Sequence, residues 1–192
     1  MKHLFQATFL LVIVISNSLY ADNAKHLFIL SGQSNMQGHA QVRTFDHIGM
    51  DPKTAPILKA IRNADGTPKV CENVWISSVD TAAPGSERHG RLTAGYGASG
   101  RGLKIGPELT FGIYMKQHVD EPILIIKTAW GGKTIDVDFR PPSSAKADPS
   151  HPVGPYYLWM LREVADALFK LPVWRQLYQA IAGTRREREG RY

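Results

Sequence analysis

Leu27, Phe28, Ile29 and Leu30 form an unbroken apolar run, after which the chain turns abruptly to small and polar residues, Ser31-Gly32-Gln33-Ser34-Asn35. An apolar run without polar alternation is the pattern of a central strand buried on both faces of a parallel sheet. Ile123-Leu124-Ile125-Ile126, bounded by Pro122 and Lys127, repeats the pattern. Val74-Trp75-Ile76-Ser77-Ser78-Val79 reads as a further strand from its β-branched and aromatic content. Helical spacing separates and follows these runs. Gly106-Pro107-Glu108 opens one helix, with Pro suited to the first position and Glu to the positive end of the dipole; Leu109 and Ile113 follow, and the helix ends near His118. A second starts at Pro155, keeps Tyr157, Leu161, Val164, Ala165 and Leu168 on one face, sets Asp166 and Lys170 on the other, and stops at Pro172. The succession of helix, buried strand and glycine loop predicts an α/β fold, a three-layer α/β/α arrangement around a central, mostly parallel sheet.

Residues 37–106 read as a long irregular region, broken by Asp51-Pro52, Ala55-Pro56, Asp65-Gly66 and Thr67-Pro68 and interrupted by the strand at Val74. Glycine recurs at 85, 90, 95, 97, 100, 102 and 106, interleaved with Arg88, Arg91, Arg101 and Lys104. Two readings stay open for this stretch: a mobile or close-packed loop roofing a pocket, or a plain surface excursion.

Composition adds bounds rather than detail. With 192 residues, 43% of them hydrophobic and 21% charged, the chain has the content of one globular domain with one core. Residues 1–21 are read apart from it: Lys2 precedes the apolar stretch from Phe9 to Ile15, followed by Ser16-Asn17-Ser18 and Ala21. That is the layout of a secretory signal peptide cleaved after Ala21, too short to span a bilayer comfortably, so the expectation is a secreted or periplasmic protein with no stable membrane insertion after cleavage; the competing reading is an uncleaved amphipathic or membrane-anchoring N-terminus. Cys71 is the single cysteine, which rules out an intrachain disulfide and reads as a half-buried strand residue. The net charge of +6 raises the question of nucleic acid, but Arg185, Arg186, Arg188 and Arg191 crowd the last residues and no basic stripe interleaved with aromatics occurs elsewhere. A basic tail over residues 171–192 accounts for the charge, and nucleic acid is not expected as a partner. No His, Asp or Glu cluster has metal-ligand spacing, and no metal or cofactor is expected.

The chemistry concentrates at the ends of the apolar runs. Ligands bind at the carboxyl edge of such a sheet, and Ser34 stands where a hydroxyl emerges from that edge with backbone N–H groups around it. The alternative is that Ser34 only caps the next segment. Lys127-Thr128-Ala129-Trp130-Gly131-Gly132-Lys133-Thr134 follows the second run; Gly132 has no side chain to keep a substrate oxygen from its amide. A phosphate-binding loop is excluded, because the glycine it needs five residues earlier is Lys127.

Gly32-Gln33-Ser34-Asn35-Met36 together with the Lys127–Thr134 block resembles the SGNH (GDSL-like) hydrolases, in the branch of acetylxylan esterases and sialate O-acetylesterases, and the likeness extends over residues 25–170. The resemblance implies an SGNH/flavodoxin-like domain over residues 22–170 that removes O-acetyl groups from carbohydrates. It implies Ser34 as nucleophile and the amides of Ser34 and Gly132 as the oxyanion hole. Gln33, Asn35, Lys133 and Arg140 are then candidates for contact with an O-acetylated carbohydrate. In that family an Asn or Gln block and a terminal Asp-x-x-His follow, the latter supplying the base. The residues after Lys170 contain no His, Asp or Asn, and Gln176 and Gln179 lack the family context. Two expectations follow: a domain incomplete at its carboxyl end that lacks the base, or a base supplied by His151 of Asp148-Pro149-Ser150-His151. His39, His47, His89 and His118 read as loop or surface histidines. A non-catalytic carbohydrate-binding or vestigial domain is the alternative function, and a fragment whose sheet edge another chain completes is a third.

Overall fold

Val74–Val79 (β3) and Ile123–Ala129 (β6) are buried at every residue and lie side by side at the centre of the sheet. The structure, a computed structural model, describes residues 26–80 and 86–170. His26–Gly32 (β1) pairs in parallel with β6 on one side, and Arg88–Arg91 (β4) pairs antiparallel with β3 on the other, giving the order β1-β6-β3-β4. The sheet is therefore mostly parallel, as the apolar runs predict.

Alternation along β6 divides the core. Ile123 and Ile125 join Val74, Ile76, Phe45, Ile61, Leu92 and Leu109 on one face, beneath the helices Ala55–Ile61 (α3) and Pro107–Met115 (α4). Leu124 and Ile126 join Trp75, Leu27 and Ala167 on the other, beneath Pro155–Lys170 (α6). A parallel sheet covered on both faces by helices is the expected three-layer architecture.

The structure corrects the sequence reading in three places. β1 is not a central strand: among the described residues it is the sheet edge, and Ile29 stays 48% exposed. The apolar run identifies a strand but not its place in the order, since a half-covered edge strand can be as apolar as a central one. Residues 37–106 are less irregular than their breakers suggest. After Ser34–Gln37 (α1) they hold the short helix Phe45–Ile48 (α2), then α3, and the small strands Ala40–Gln41 (β2) and Lys104–Ile105 (β5), which pair antiparallel. Pro56 starts α3 rather than breaking the chain, because the first turn of a helix needs no N–H from it. Cys71 lies before β3, not in it; burial pushes its thiol above the ordinary value.

β6 also runs three residues past its apolar core, through Lys127, and the reason lies in one buried pair. Lys127 Nζ sits 2.6 Å from Glu108 Oε2, both side chains fully buried, and donates to the carbonyls of Gln37 at 3.0 Å and Tyr96 at 2.8 Å. Three acceptors satisfy the three ammonium donors. Desolvation lowers the Lys127 pKa, and the Glu108 carboxylate opposes that shift. Glu108 Oε1 in turn accepts from Gly106 N at 2.8 Å.

The glycine-rich stretch is a close-packed loop and not a surface excursion. Ala98 N donates to Gly38 O at 2.7 Å, and Gly38, at φ 82°, backs onto Gly106 so closely that a Cβ there would lie 2.2 Å from Gly106 Cα. Residues 1–21, Pro172, Gln176, Gln179 and the basic stretch 171–192 lie outside the described residues. No described helix is long and apolar enough to cross a membrane.

Removing one member of the buried pair strands the other in the core. Lys127→Met is expected to cost about 3–5 kcal/mol in urea unfolding, with the double change Lys127→Met/Glu108→Met recovering much of it. A loss below about 1 kcal/mol in the single variant contradicts this account of β6.

Candidate active site

The parallel pairing of β1 with β6 ends at Gly32 opposite Ala129, and Trp130 N donates to Gly32 O at 3.1 Å, one step further. The two chains therefore leave the sheet together. On the β1 side Gln33 caps α1, which begins at Ser34. On the β6 side the chain turns through Gly131 and Gly132, the latter at φ 72°, a left-handed conformation that glycine takes without strain. The outcome is that Gly132 N points at Ser34 Oγ across 3.4 Å, linking positions 98 residues apart.

Gln33 completes the immediate surroundings. Its Oε1 accepts from Ser34 N at 2.9 Å and from Ser34 Oγ at 2.7 Å. A backbone N–H can only donate, so the amide oxygen and not its nitrogen faces Ser34. Gln33 and Asn35 are exposed, and a groove of about 320 Å³ opens beside Ser34, lined by Asn35, His39, Ala40, Ile105 and Pro107 with Gly38 and Gly106 at their close approach.

Behind the groove, Gln37 Nε2 donates to Asp80 O at 3.0 Å and Gln37 Oε1 meets His39 Nε2 at 3.2 Å. Asp80 is buried, accepts from Ser99 Oγ at 3.0 Å and pairs with Arg88 at 3.3 Å. Arg88 also donates to Gly97 O at 2.6 Å. These contacts fix the glycine-rich loop against the segment after Ser34.

The loop after Gly132 is held by aromatic packing. Trp130, 3% exposed, stacks on Trp159 with ring centres 5.9 Å apart and meets Tyr156 edge-on at 5.3 Å. Lys133 Nζ lies 4.4 Å over the Tyr156 ring and 3.7 Å from Asp138; contact with Tyr156 raises its pKa above the ordinary value. Arg140 is nearly buried, bonded to Asp136 at 2.9 Å and to Ser144 O at 3.2 Å, with Asp148 at 3.7 Å. Both cations therefore have protein partners and fix the loop.

Asp148-x-x-His151 follows the short helix Pro142–Ala147 (α5) and folds as a pair ahead of α6. His151 Nδ1 lies 2.8 Å from Asp148 Oδ2 and 3.0 Å from Ser150 Oγ. Hydrogen bonds from Ser150 and then His151 hold the Asp148 carboxyl at about 2, below its ordinary 3.8. A carboxylate on Nδ1 leaves Nε2 as the acceptor, the arrangement of a general base. His26 also meets a carboxylate, Glu121 at 3.3 Å, but stands at the opposite end of β1 from Ser34. The structure does not join His151 to Ser34: among the described residues, no histidine hydrogen-bonds to Ser34 Oγ. No group of three or more His, Cys, Asp or Glu among them is arranged to hold a metal.

A family described as SASA, carbohydrate esterase, sialic acid-specific acetylesterase, matches residues 24–178. The chain belongs to this carbohydrate esterase family. No curated protein matches this esterase-family chain. Among solved structures, a protein from Arabidopsis thaliana is similar at 16% identity and a TM-score of 0.42, covering 75% of this chain and 51% of that one. A carbohydrate acetylesterase from Xanthomonas citri is similar at 14% identity and a TM-score of 0.34, covering 69% of this chain and 27% of that one. The esterase-family chain thus spans about half the length of the first and about a quarter of the second.

Sequence reasoning named Ser34, Gly132, Gln33 and Asn35, and these lie together. It gave no role in the site to Gln37, Asp80, Glu108 or Lys127. A lysine inside a strand otherwise apolar was the available signal, since a buried lysine requires a carboxylate or several carbonyls around it.

The depressed Asp148 value rests first on Ser150. In Ser150→Ala, a carboxyl-detected NMR titration should show the Asp148 pKa rising from about 2 toward 3.8. A folded-state value below the unfolded one means that this contribution to stability is present above the unfolded pKa and disappears as pH falls toward about 2. An unchanged Asp148 titration in Ser150→Ala contradicts the assignment.

Proposed function

We propose that the chain is a serine esterase that removes O-acetyl groups from carbohydrates, with Ser34 as the nucleophile. The observation that carries the reading is the approach of Gly132 N to Ser34 Oγ at the carboxyl ends of β1 and β6, in a chain of the sialic acid-specific acetylesterase family. A hydroxyl facing an amide that glycine leaves uncovered supplies nucleophile and oxyanion donor in one place.

In this mechanism the ester carbonyl displaces Gln33 Oε1 from Ser34 N. Ser34 Oγ attacks the acetyl carbon while its proton passes to a histidine. The carbonyl oxygen takes up negative charge, stabilised by the amides of Ser34 and Gly132. Collapse breaks the bond to the sugar oxygen, which leaves with the proton from the histidine, and water then releases acetate from the acetyl-enzyme. His151 is the proposed base, because Asp148 orients Nδ1 and leaves Nε2 free to accept the proton. Asn35 is the proposed substrate contact on the groove side, and Gln33 the residue that yields its place to the substrate. Lys133 and Arg140 support the loop that carries Gly132. The amino-terminal pattern of residues 1–21 accords with export, and no cofactor enters the scheme.

The second reading is carbohydrate binding without turnover. The hydrogen bond of Ser34 Oγ to Gln33, with no histidine on the hydroxyl among the described residues, favours it specifically. Hydrolysis of p-nitrophenyl acetate separates the two. The esterase reading predicts turnover that Ser34→Ala reduces at least a hundredfold and His151→Ala comparably. Equal traces in wild type and Ser34→Ala contradict it and leave binding.

A further inference from the structure

His39 shares the groove with Ser34, and its hydrogen bonding leaves one ring nitrogen with a defined character. Gln37 Nε2 donates to the main-chain carbonyl of Asp80 at 3.0 Å. A carbonyl only accepts, so the amide nitrogen must face Asp80 and the amide oxygen must face His39. That oxygen, 3.2 Å from His39 Nε2, also only accepts. His39 Nε2 therefore carries the hydrogen, and in the neutral ring the lone pair is on Nδ1. Among the described residues Nδ1 has no hydrogen-bond partner, and His39 is exposed on the groove wall.

An acetyl group brings an acceptor and a methyl but no donor, so it cannot use that lone pair. A hydroxyl can. The alcohol side of a carbohydrate ester carries several, whereas a simple aryl or alkyl ester carries none. We infer that His39 is a specificity-determining residue whose Nδ1 accepts a hydrogen bond from a free hydroxyl of the sugar bearing the ester. Its ring is held in register by the chain His39–Gln37–Asp80. Gln37 Oε1 also lies 2.7 Å from where a Cβ on Gly131 would stand, so the same amide packs against the turn leading to Gly132. The inference rests on the esterase reading for the identity of the substrate, but the recognition step is independent of turnover.

The test uses two variants that differ in where they keep an acceptor. His39→Asn places its amide oxygen close to the position of Nδ1; His39→Gln can meet Gln37 but has no acceptor there. The quantity read is the ratio of kcat/KM for the O-acetylated methyl glycoside of sialic acid to that for p-nitrophenyl acetate. Loss of one hydrogen bond predicts a fall of about tenfold in this ratio for His39→Gln, with most of it restored in His39→Asn. An unaltered ratio in His39→Gln overturns the inference, whether both activities fall or neither does. Binding of the same glycoside to Ser34→Ala, followed by NMR titration, separates this result from the esterase reading itself. If the wild type hydrolyses neither ester, the esterase reading fails, and His39 still stands if His39→Gln in the Ser34→Ala background weakens binding about tenfold. Equal binding with and without His39→Gln, or no binding to Ser34→Ala, overturns it.

Discussion

The Lys127 ammonium ties together β6, α4, the end of α1 and the glycine-rich loop. Its strand carries Gly132 five residues on, its carboxylate partner opens α4, and its two carbonyl partners close α1 and the glycine-rich loop. A buried charge is tolerated only where its hydrogen-bonding capacity is met, so each of these segments is required to reach the same point. The pair is better understood as a specifier of position than as a source of stability. An apolar core would pack β6 against α4 equally well, but it would not require the end of α1 to lie over β6.

From that constraint the site follows by short steps. Gln37 O is fixed by Lys127, and Ser34 is three residues before it in a single turn of helix. Gly132 approaches from the neighbouring strand because β1 and β6 are in parallel register to their last residues. The open side is left to a groove whose back is the contact of Gly38 with Gly106, where the Gly38 backbone could not carry a side chain. Gln33 then serves two states. With no ester bound its amide oxygen satisfies Ser34 N and Oγ; in the proposed reaction an ester carbonyl takes that place.

Much of this was legible in the sequence, for a physical reason. Buried parallel strands declare themselves as apolar runs, and both β3 and the core of β6 were readable as such, as were the starts of α4 and α6 from Pro107 and Pro155. The hydroxyl at 34 and the paired glycines were readable because a chain that leaves the end of a buried strand through a tight turn needs small residues there. Strand order was not readable: β1 carries as apolar a run as β6 yet forms the edge among the described residues, since its neighbours depend on crossovers and not on its own residues. Nor were α2, α3 and the packing of the glycine loop, where Pro56 and the many glycines resemble breaks but act as a helix start and as contact points. The role of Lys127 needed the fold, because its partner Glu108 and the carbonyls of Gln37 and Tyr96 come from distant segments. The match of residues 24–178 to the carbohydrate esterase family agrees with what those two motifs imply.

The central claim is that Ser34 Oγ and Gly132 N face one shared position where charge can develop. The ¹H–¹⁵N spectrum of the protein after reaction of Ser34 with a fluorophosphonate tests it most directly. The account predicts that the Gly132 amide moves downfield as it takes up a hydrogen bond to the phosphoryl oxygen. A Ser34 adduct that leaves the Gly132 resonance in place, or an adduct formed on another residue, would contradict it.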